Sequence, residues 1–319
     1  MKNNVVGLER LPTEQMNRAS ADLDLKSSLE IAQIINTEDA TVARVVARAL
    51  PQIARGIDWI TGALAGGGRL IYVGTGTSGR IAALDASECP PTFNVPPSTV
   101  QFVMAGGVRA LSRAVEADED SRELGVREIR KKKPGKRDVV IGIAASGRTP
   151  FTVAAIEYAR KAGAKTIALT CNPDSPLEKA AELAIVVETG PEVVSGSTRM
   201  KAGTAEKLVL NMLSTGAMVK LGYVYGNLMV NLHQKNTKLT ERAVTIVARA
   251  LGTDRDRARE ALQRAGRDVP IAIVMAKAAA SRASAEKYLK AAKGHVRRAI
   301  AAALGDPANR HTEKQVPHG

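Results

Sequence analysis

Five short apolar runs alternate with longer helical segments through the middle of the chain: Leu70 to Val73, Val100 to Met104, Val139 to Ile143, Thr166 to Thr170 and Ala184 to Val187. Runs of this length, with glycine at their ends and helical periodicity between them, read as buried strands rather than pieces of helix. Parallel strands need helical crossovers, and those crossovers cover both faces of the sheet. The expectation is an α/β fold, a doubly wound five-stranded parallel sheet, with N-terminal helices and a small C-terminal helical domain. The boundaries read as an N-terminal helical segment at 1–45, the sheet domain at 46–225, the helical domain at 226–304 and a flexible tail at 305–319. Residues Thr13 to Leu64 carry apolar positions at three-and-four spacing, with a start signal at Asn36 to Asp39. The segment Gly203 to Gly222 reads as one long apolar helix, and turn signals at Leu251 to Asp256 and Ala265 to Pro270 divide the C-terminal unit.

The 319 residues are enough to bury a sizeable core, and 45% hydrophobic with 24% charged residues is the balance of a globular protein. The first residues lack the apolar run of a signal peptide, and no window reaches the roughly 18 apolar residues of a membrane span. Cys89 and Cys171, the two cysteines, form no C-x-x-C pattern, so a reducing cytoplasm is expected and a structural zinc site is not. The net charge of +14 raises nucleic acid as a partner. Its positive residues are spread along helical sequence with few aromatic side chains to stack bases, so nucleic-acid binding is not expected. The basic turn Arg130 to Asp138 reads as a solvated loop before a strand.

The glycines of Gly74-Thr-Gly-Thr-Ser-Gly79 match G-x-G-x-x-G between a strand and a helix, the dinucleotide pattern. That reading also needs a carboxylate at the end of the next strand, and Phe102 to Gly107 supplies none. A P-loop is excluded because no glycine precedes Lys and Ser/Thr. The same small, hydroxyl-rich design recurs at Ala144 to Pro150 and at Ser195 to Ala205. Backbone N–H groups at a helix start, with Ser and Thr hydroxyls beside them, bind anions without a metal. Each loop by itself is equally a tight turn with a capping hydroxyl. Three of them at the carboxyl edge of one parallel sheet suit a sugar phosphate.

These loops resemble the sugar isomerase (SIS) family. The stretches LDASECPPTF, AVEADEDS and LVLNMLSTGAM are similar, within it, to the N-acetylmuramic acid 6-phosphate etherases. The likeness runs from about Thr13 to about Leu304, and the glucokinase regulatory protein is a relative. It implies cleavage of the lactyl ether of N-acetylmuramic acid 6-phosphate, giving N-acetylglucosamine 6-phosphate and D-lactate in cell-wall recycling, by a homodimer without metal or other cofactor. A sugar-phosphate-sensing regulatory protein is the alternative on the same loops, and an aldose–ketose isomerase is another.

An alkyl ether offers no carbonyl to a nucleophile, so elimination is the easier course. With the sugar ring open, the C1 aldehyde acidifies the C2 proton; a base removes it, an acid protonates the departing oxygen at C3, and water then adds. Two carboxylates of opposite protonation suffice. The resemblance assigns them to Glu88, as acid, and Glu119, as base, with the division of labour open. From the residues alone, Glu88 is a side chain before a helix stop at Pro90 and Pro91, and Glu119 is part of an acidic, solvent-facing cluster. Ser78, Ser146, Gly147 and Thr149 are the expected sugar-phosphate contacts, with Ser197 and Thr198 as additions. His233 and Lys238 lie where the family brings polar residues from a neighbouring subunit, and Lys238 would hold the lactyl carboxylate or the phosphate. Arg80 and Arg148 flank the loops as anion partners or outward charges. Cys89 and Cys171 have no basic neighbour in sequence and read as packed side chains.

Overall fold

The computed structural model describes residues 11–113, 118–232 and 237–305. They form two compact units, one built from the chain up to Ser87 with Pro96–Gly216, the other from Glu88–Val95 with Ala217 onward.

The first unit opens with three short 3-10 turns and three helices, α1 (Ser28–Asp39), α2 (Val42–Arg48) and α3 (Leu50–Ala65). The sheet and its crossovers follow: β1 (Leu70–Gly74), α4 (Gly76–Phe93), β2 (Val100–Met104), α5 (Arg122–Lys131), β3 (Val139–Ile143), α6 (Pro150–Lys161), β4 (Lys165–Thr170), α7 (Pro176–Ala180), β5 (Leu183–Val186) and α8 (Lys201–Lys220). The strands lie in the order β2-β1-β3-β4-β5, all parallel, with Leu70 opposite Val100 on one side and Val139 on the other. Alternation sorts the side chains. Ile71, Val73, Val140 and Ala168 pack with Ile129 of α5, Phe151 and Ile156 of α6 and Leu177 of α7. On the opposite face Tyr72 donates to Asp85 of α4 at 2.7 Å, and Gly56 of α3 lets Leu213 of α8, Ile167 and Ile185 close in. The expected two-sided cover is therefore present, from α5, α6 and α7 on one face and α3, α4 and α8 on the other.

The buried Asp85 carboxylate ties three elements on that second face, accepting from Tyr72 of β1 and from Asn211 at 2.7 Å and Ser214 at 3.1 Å on α8. Burial pushes its pKa up, and the three hydrogen bonds hold it back.

Two sequence expectations are corrected. Asn36 to Asp39 ends α1 instead of starting a helix; the start is at Ser27, whose side chain and Glu30 form a reciprocal capping box. Pro90 and Pro91 do not stop α4, which continues through both to Phe93 and ends at Asn94 with φ 56°. The prolines remove two backbone donors, but Cys89 and Phe93, four residues apart and both buried, keep the last turn helical.

In the second unit a two-stranded antiparallel hairpin, β6 (Val224–Tyr225) and β7 (Leu228–Met229), precedes α9 (Thr237–Leu251), α10 (Arg255–Arg264), α11 (Val269–Lys277), α12 (Arg282–Ala291) and α13 (Val296–Gly305). The two expected turn signals are the N-caps of α10 and α11, where Asp254 and Asp268 accept from backbone N–H groups. Val244, Val247, Leu262, Ile273, Leu289 and Val296 form its core. The tail from 306 onward lies outside the described residues.

Contact between α5 and α6 depends on Gly125, where an added methyl would lie 2.2 Å from the Phe151 carbonyl oxygen. Gly125→Ala should lower the unfolding free energy by about 3 kcal/mol, read from urea melts, because backbone cannot yield as a flexible side chain does. A midpoint equal to wild type would show that α5 shifts freely.

Candidate active site at the carboxyl edge of the sheet

Chain order reverses between β1 and β3: after β2 the chain returns past β1 to lay down β3 on the other side. The crevice beyond the carboxyl ends of such a pair of strands is where an open α/β sheet leaves room for a ligand. Thr75 and the first turn of α4, through Ser78, follow β1, and the loop after β3 carries Ala144 to Thr149, so both flank this point.

The first loop is set by close approach. A methyl on Gly74 would lie 2.9 Å from the Gly79 nitrogen, and one on Gly79 2.9 Å from Met104 Cγ, so strand end and helix start can touch only as glycines. Gly79 N–H makes the first backbone bond of α4, to Thr75 O at 2.9 Å, leaving the amides of Gly76, Thr77 and Ser78 without an intrahelical acceptor. Ser78 Oγ lies 2.8 Å from Glu206 Oε1 of α8, and both side chains are buried. Burial pushes the Glu206 pKa up to about 8 against the opposing Ser78 hydrogen bond.

The second loop turns at Gly147, with φ 66°, where a methyl would meet Ser175 at 2.4 Å. Ser146 Oγ accepts from Arg148 N–H at 3.2 Å, and Thr149 is the residue before α6, which begins with Pro150. Ser146 and Thr149 are half-buried and Arg148 is exposed.

Glu119 joins the two loops. Its Oε2 accepts from Thr75 Oγ1 at 3.0 Å, its Oε1 lies 3.2 Å from where a Gly76 Cβ would be, and its backbone oxygen accepts from Phe151 N–H at 3.1 Å. A half-buried carboxylate held from both sides is not the solvated cluster member that the acidic run allowed.

The third loop, with Ser197 and Thr198 half-buried, leads into α8. Its helix start is already occupied: the Glu192 carboxylate accepts from Lys201 N–H at 3.0 Å and Ala202 N–H at 2.9 Å. Burial pushes the Glu192 pKa up, and these two bonds oppose the shift. The N-terminal segment reaches this loop, with Ser20 Oγ donating to Val193 O at 2.8 Å and Ser195 Oγ donating to Gln15 O at 3.2 Å.

Glu88 and Lys238 belong to the second unit, and both are exposed, Glu88 in the last turns of α4 and Lys238 in the first turn of α9. His233 lies outside the described residues. Arg80 is held by carbonyls, its Nε on Ala110 O and its Nη2 on Arg113 O, both at 3.0 Å. Cys89 and Cys171 are buried and unbridged, and burial drives the Cys171 thiol strongly upward. Both cysteines are packed side chains, as read from sequence. Among the described residues no group of three His, Cys, Asp or Glu side chains is placed to hold a metal ion, and no helix is long and apolar enough to cross a membrane.

Sequence reasoning missed Thr75 and Glu206. The signal for Glu206 was present: it is the one acidic residue in α8, adjoining the fully buried Ala202, Ala205, Val209 and Leu210.

Residues 52–160 match the glucokinase regulatory protein N-terminal SIS domain family and residues 133–216 the SIS domain family. The N-acetylmuramic acid 6-phosphate etherase of Symbiobacterium thermophilum is 56% identical over 268 residues, covering 84% of this chain and 89% of the relative. That of Escherichia fergusonii is 51% identical over 293 residues, 92% of this chain and 98% of the relative. A phosphoheptose isomerase from Francisella tularensis superposes with a TM-score of 0.50 at 20% identity, over 61% of this chain and 100% of that one, a likeness of fold. At such identity over nearly its whole length, the chain belongs to the N-acetylmuramic acid 6-phosphate etherase family.

Proposed function

We infer that this chain cleaves the lactyl ether of N-acetylmuramic acid 6-phosphate to N-acetylglucosamine 6-phosphate and D-lactate, a reading supported by relatives named N-acetylmuramic acid 6-phosphate etherase. The observation that supports a catalytic site in the first unit is Glu119, a carboxylate suspended between the loops after β1 and β3. Phosphate is taken by the free amides at the start of α4 with the Ser78 hydroxyl, and by Ser146, Gly147 and Thr149 of the second loop. Ser197 and Thr198 add hydroxyls; since Glu192 already occupies the first N–H groups of α8, those side chains carry the third loop's share.

In the reaction Glu119, ionised, takes the proton from C2 of the open-chain sugar, and the C3–O bond breaks as Glu88 gives its proton to the lactyl oxygen. D-lactate leaves and a C2–C3 double bond remains. Glu88, now a carboxylate, takes a proton from water as its oxygen bonds to C3, and Glu119 returns a proton to C2. Thr75 donates to Glu119 and holds its side chain in place. Lys238 holds an anionic end of the substrate, the lactyl carboxylate or the phosphate. A cytoplasmic location and pairing into a homodimer belong to the same reading; exposed Leu84 on α4 and Met212 on α8 are apolar side chains that pairing would cover.

Purified protein should release D-lactate from N-acetylmuramic acid 6-phosphate, and Glu88→Gln and Glu119→Gln should each lower kcat about a thousandfold with thermal melting unchanged. Binding without lactate would point to a sensor, and a ketose product to an isomerase. Sedimentation at micromolar concentration should give twice the chain mass; a monomer at full activity would remove the dimer from the account.

A further inference from the structure

Glu206 is a buried ionisable group that the reaction above does not use. It is 1% exposed, and it reaches Ser78 across 128 residues of chain with Oε1 at 2.8 Å from the hydroxyl oxygen. Its second oxygen, Oε2, is buried and has no hydrogen-bond partner among the described residues. A carboxylate so enclosed would be a buried charge met by a single neutral hydroxyl, whereas a carboxylic acid needs little more than the contact already made.

Which group donates in that contact decides what Ser78 offers to the loop. If Glu206 is ionised, the Ser78 proton points at it, and the hydroxyl presents only lone pairs to an incoming phosphate. If Glu206 is protonated, its O–H can donate to Ser78 Oγ, and the Ser78 proton turns outward to a phosphate oxygen. We propose that Glu206 is a positioning residue that stays neutral, donates to Ser78 and so aims the Ser78 hydroxyl at the phosphate of the sugar. This rests on the reading that the loop after β1 holds that phosphate.

Burial holds the Glu206 pKa at about 8, so the donor is present at neutral pH and is lost as pH rises through that value. Other ionisable groups lie around the relay. Cys171, at the end of β4, interacts with both Glu206 and Glu192, and its strongly raised pKa keeps it neutral across this range. At the helix start on α4, Glu119 bonds Thr75, while Arg80 is held by two carbonyls. Lys207, the next residue on α8, acts on Asp85.

The test is the dissociation constant of N-acetylglucosamine 6-phosphate, measured calorimetrically on the full chain at pH 7 and pH 9, where the phosphate is a dianion throughout. With about nine-tenths of Glu206 neutral at pH 7 and about one-tenth at pH 9, wild type should weaken about tenfold over that interval. In Glu206→Gln the amide N–H₂ replaces the acid as a donor that cannot ionise. Affinity at pH 7 should then stay within about twofold and the alkaline weakening should vanish, a rescue that a merely space-filling role would not give. Glu206→Ala should weaken binding about tenfold already at pH 7, by loss of one oriented hydrogen bond to a charged ligand. Ser78→Ala separates the two claims. If it leaves binding unchanged, the phosphate is elsewhere and both the site and the relay fall. If it weakens binding but Glu206→Gln keeps the wild-type pH dependence, the relay alone is overturned.

Discussion

Glu119 is fixed by two bonds from different directions, Thr75 Oγ1 on its side chain and Phe151 N–H on its backbone oxygen. Those two partners sit at the starts of α4 and α6, the helices that follow β1 and β3, and these are the strands between which chain order reverses. Gly74 and Gly79 let the first helix start directly at the strand end, and Gly147 adopts the positive φ that turns the second loop beside Ser175.

The strands were legible from the residues because parallel strands buried on both faces are continuous apolar runs, and no end of any of the five runs is off by more than one residue. The errors came where tertiary packing overrides local signals. Pro90 and Pro91 are helix breakers in isolation, yet buried Cys89 and Phe93 carry α4 past them. Asn36 to Asp39 has the composition of a helix start, and the reciprocal bonds of Ser27 and Glu30 had already begun that helix. The helical spacing was read from Thr13 onward, but up to Lys26 the chain forms only short 3-10 turns, with Asn17 and Ser20 side chains bonded to Pro191 and Val193.

For the site, the loops could be found by their glycines and hydroxyls, whereas the partners that give those hydroxyls direction could not. Ser78 and Glu206 are 128 positions apart, and Thr75 and Glu119 are 44 apart. No periodicity links such pairs. The acidic run around Glu119 also concealed it, since a cluster of carboxylates normally faces water. The fold distinguishes one member by burying it between two helix starts. The third loop shows the converse: its composition announced an anion site, and a carboxylate of the same chain, Glu192, holds the first backbone donors of its helix.

The central claim is chemical: the ether is lost by elimination across C2 and C3, with Glu119 at the C2 proton. Turnover in deuterium oxide with mass analysis of the product tests it most directly. The account predicts one solvent deuteron fixed at C2 of N-acetylglucosamine 6-phosphate in wild type, with Glu119→Gln unable to exchange that proton in either substrate or product. A product formed at the full rate with its original C2 hydrogen intact would contradict it.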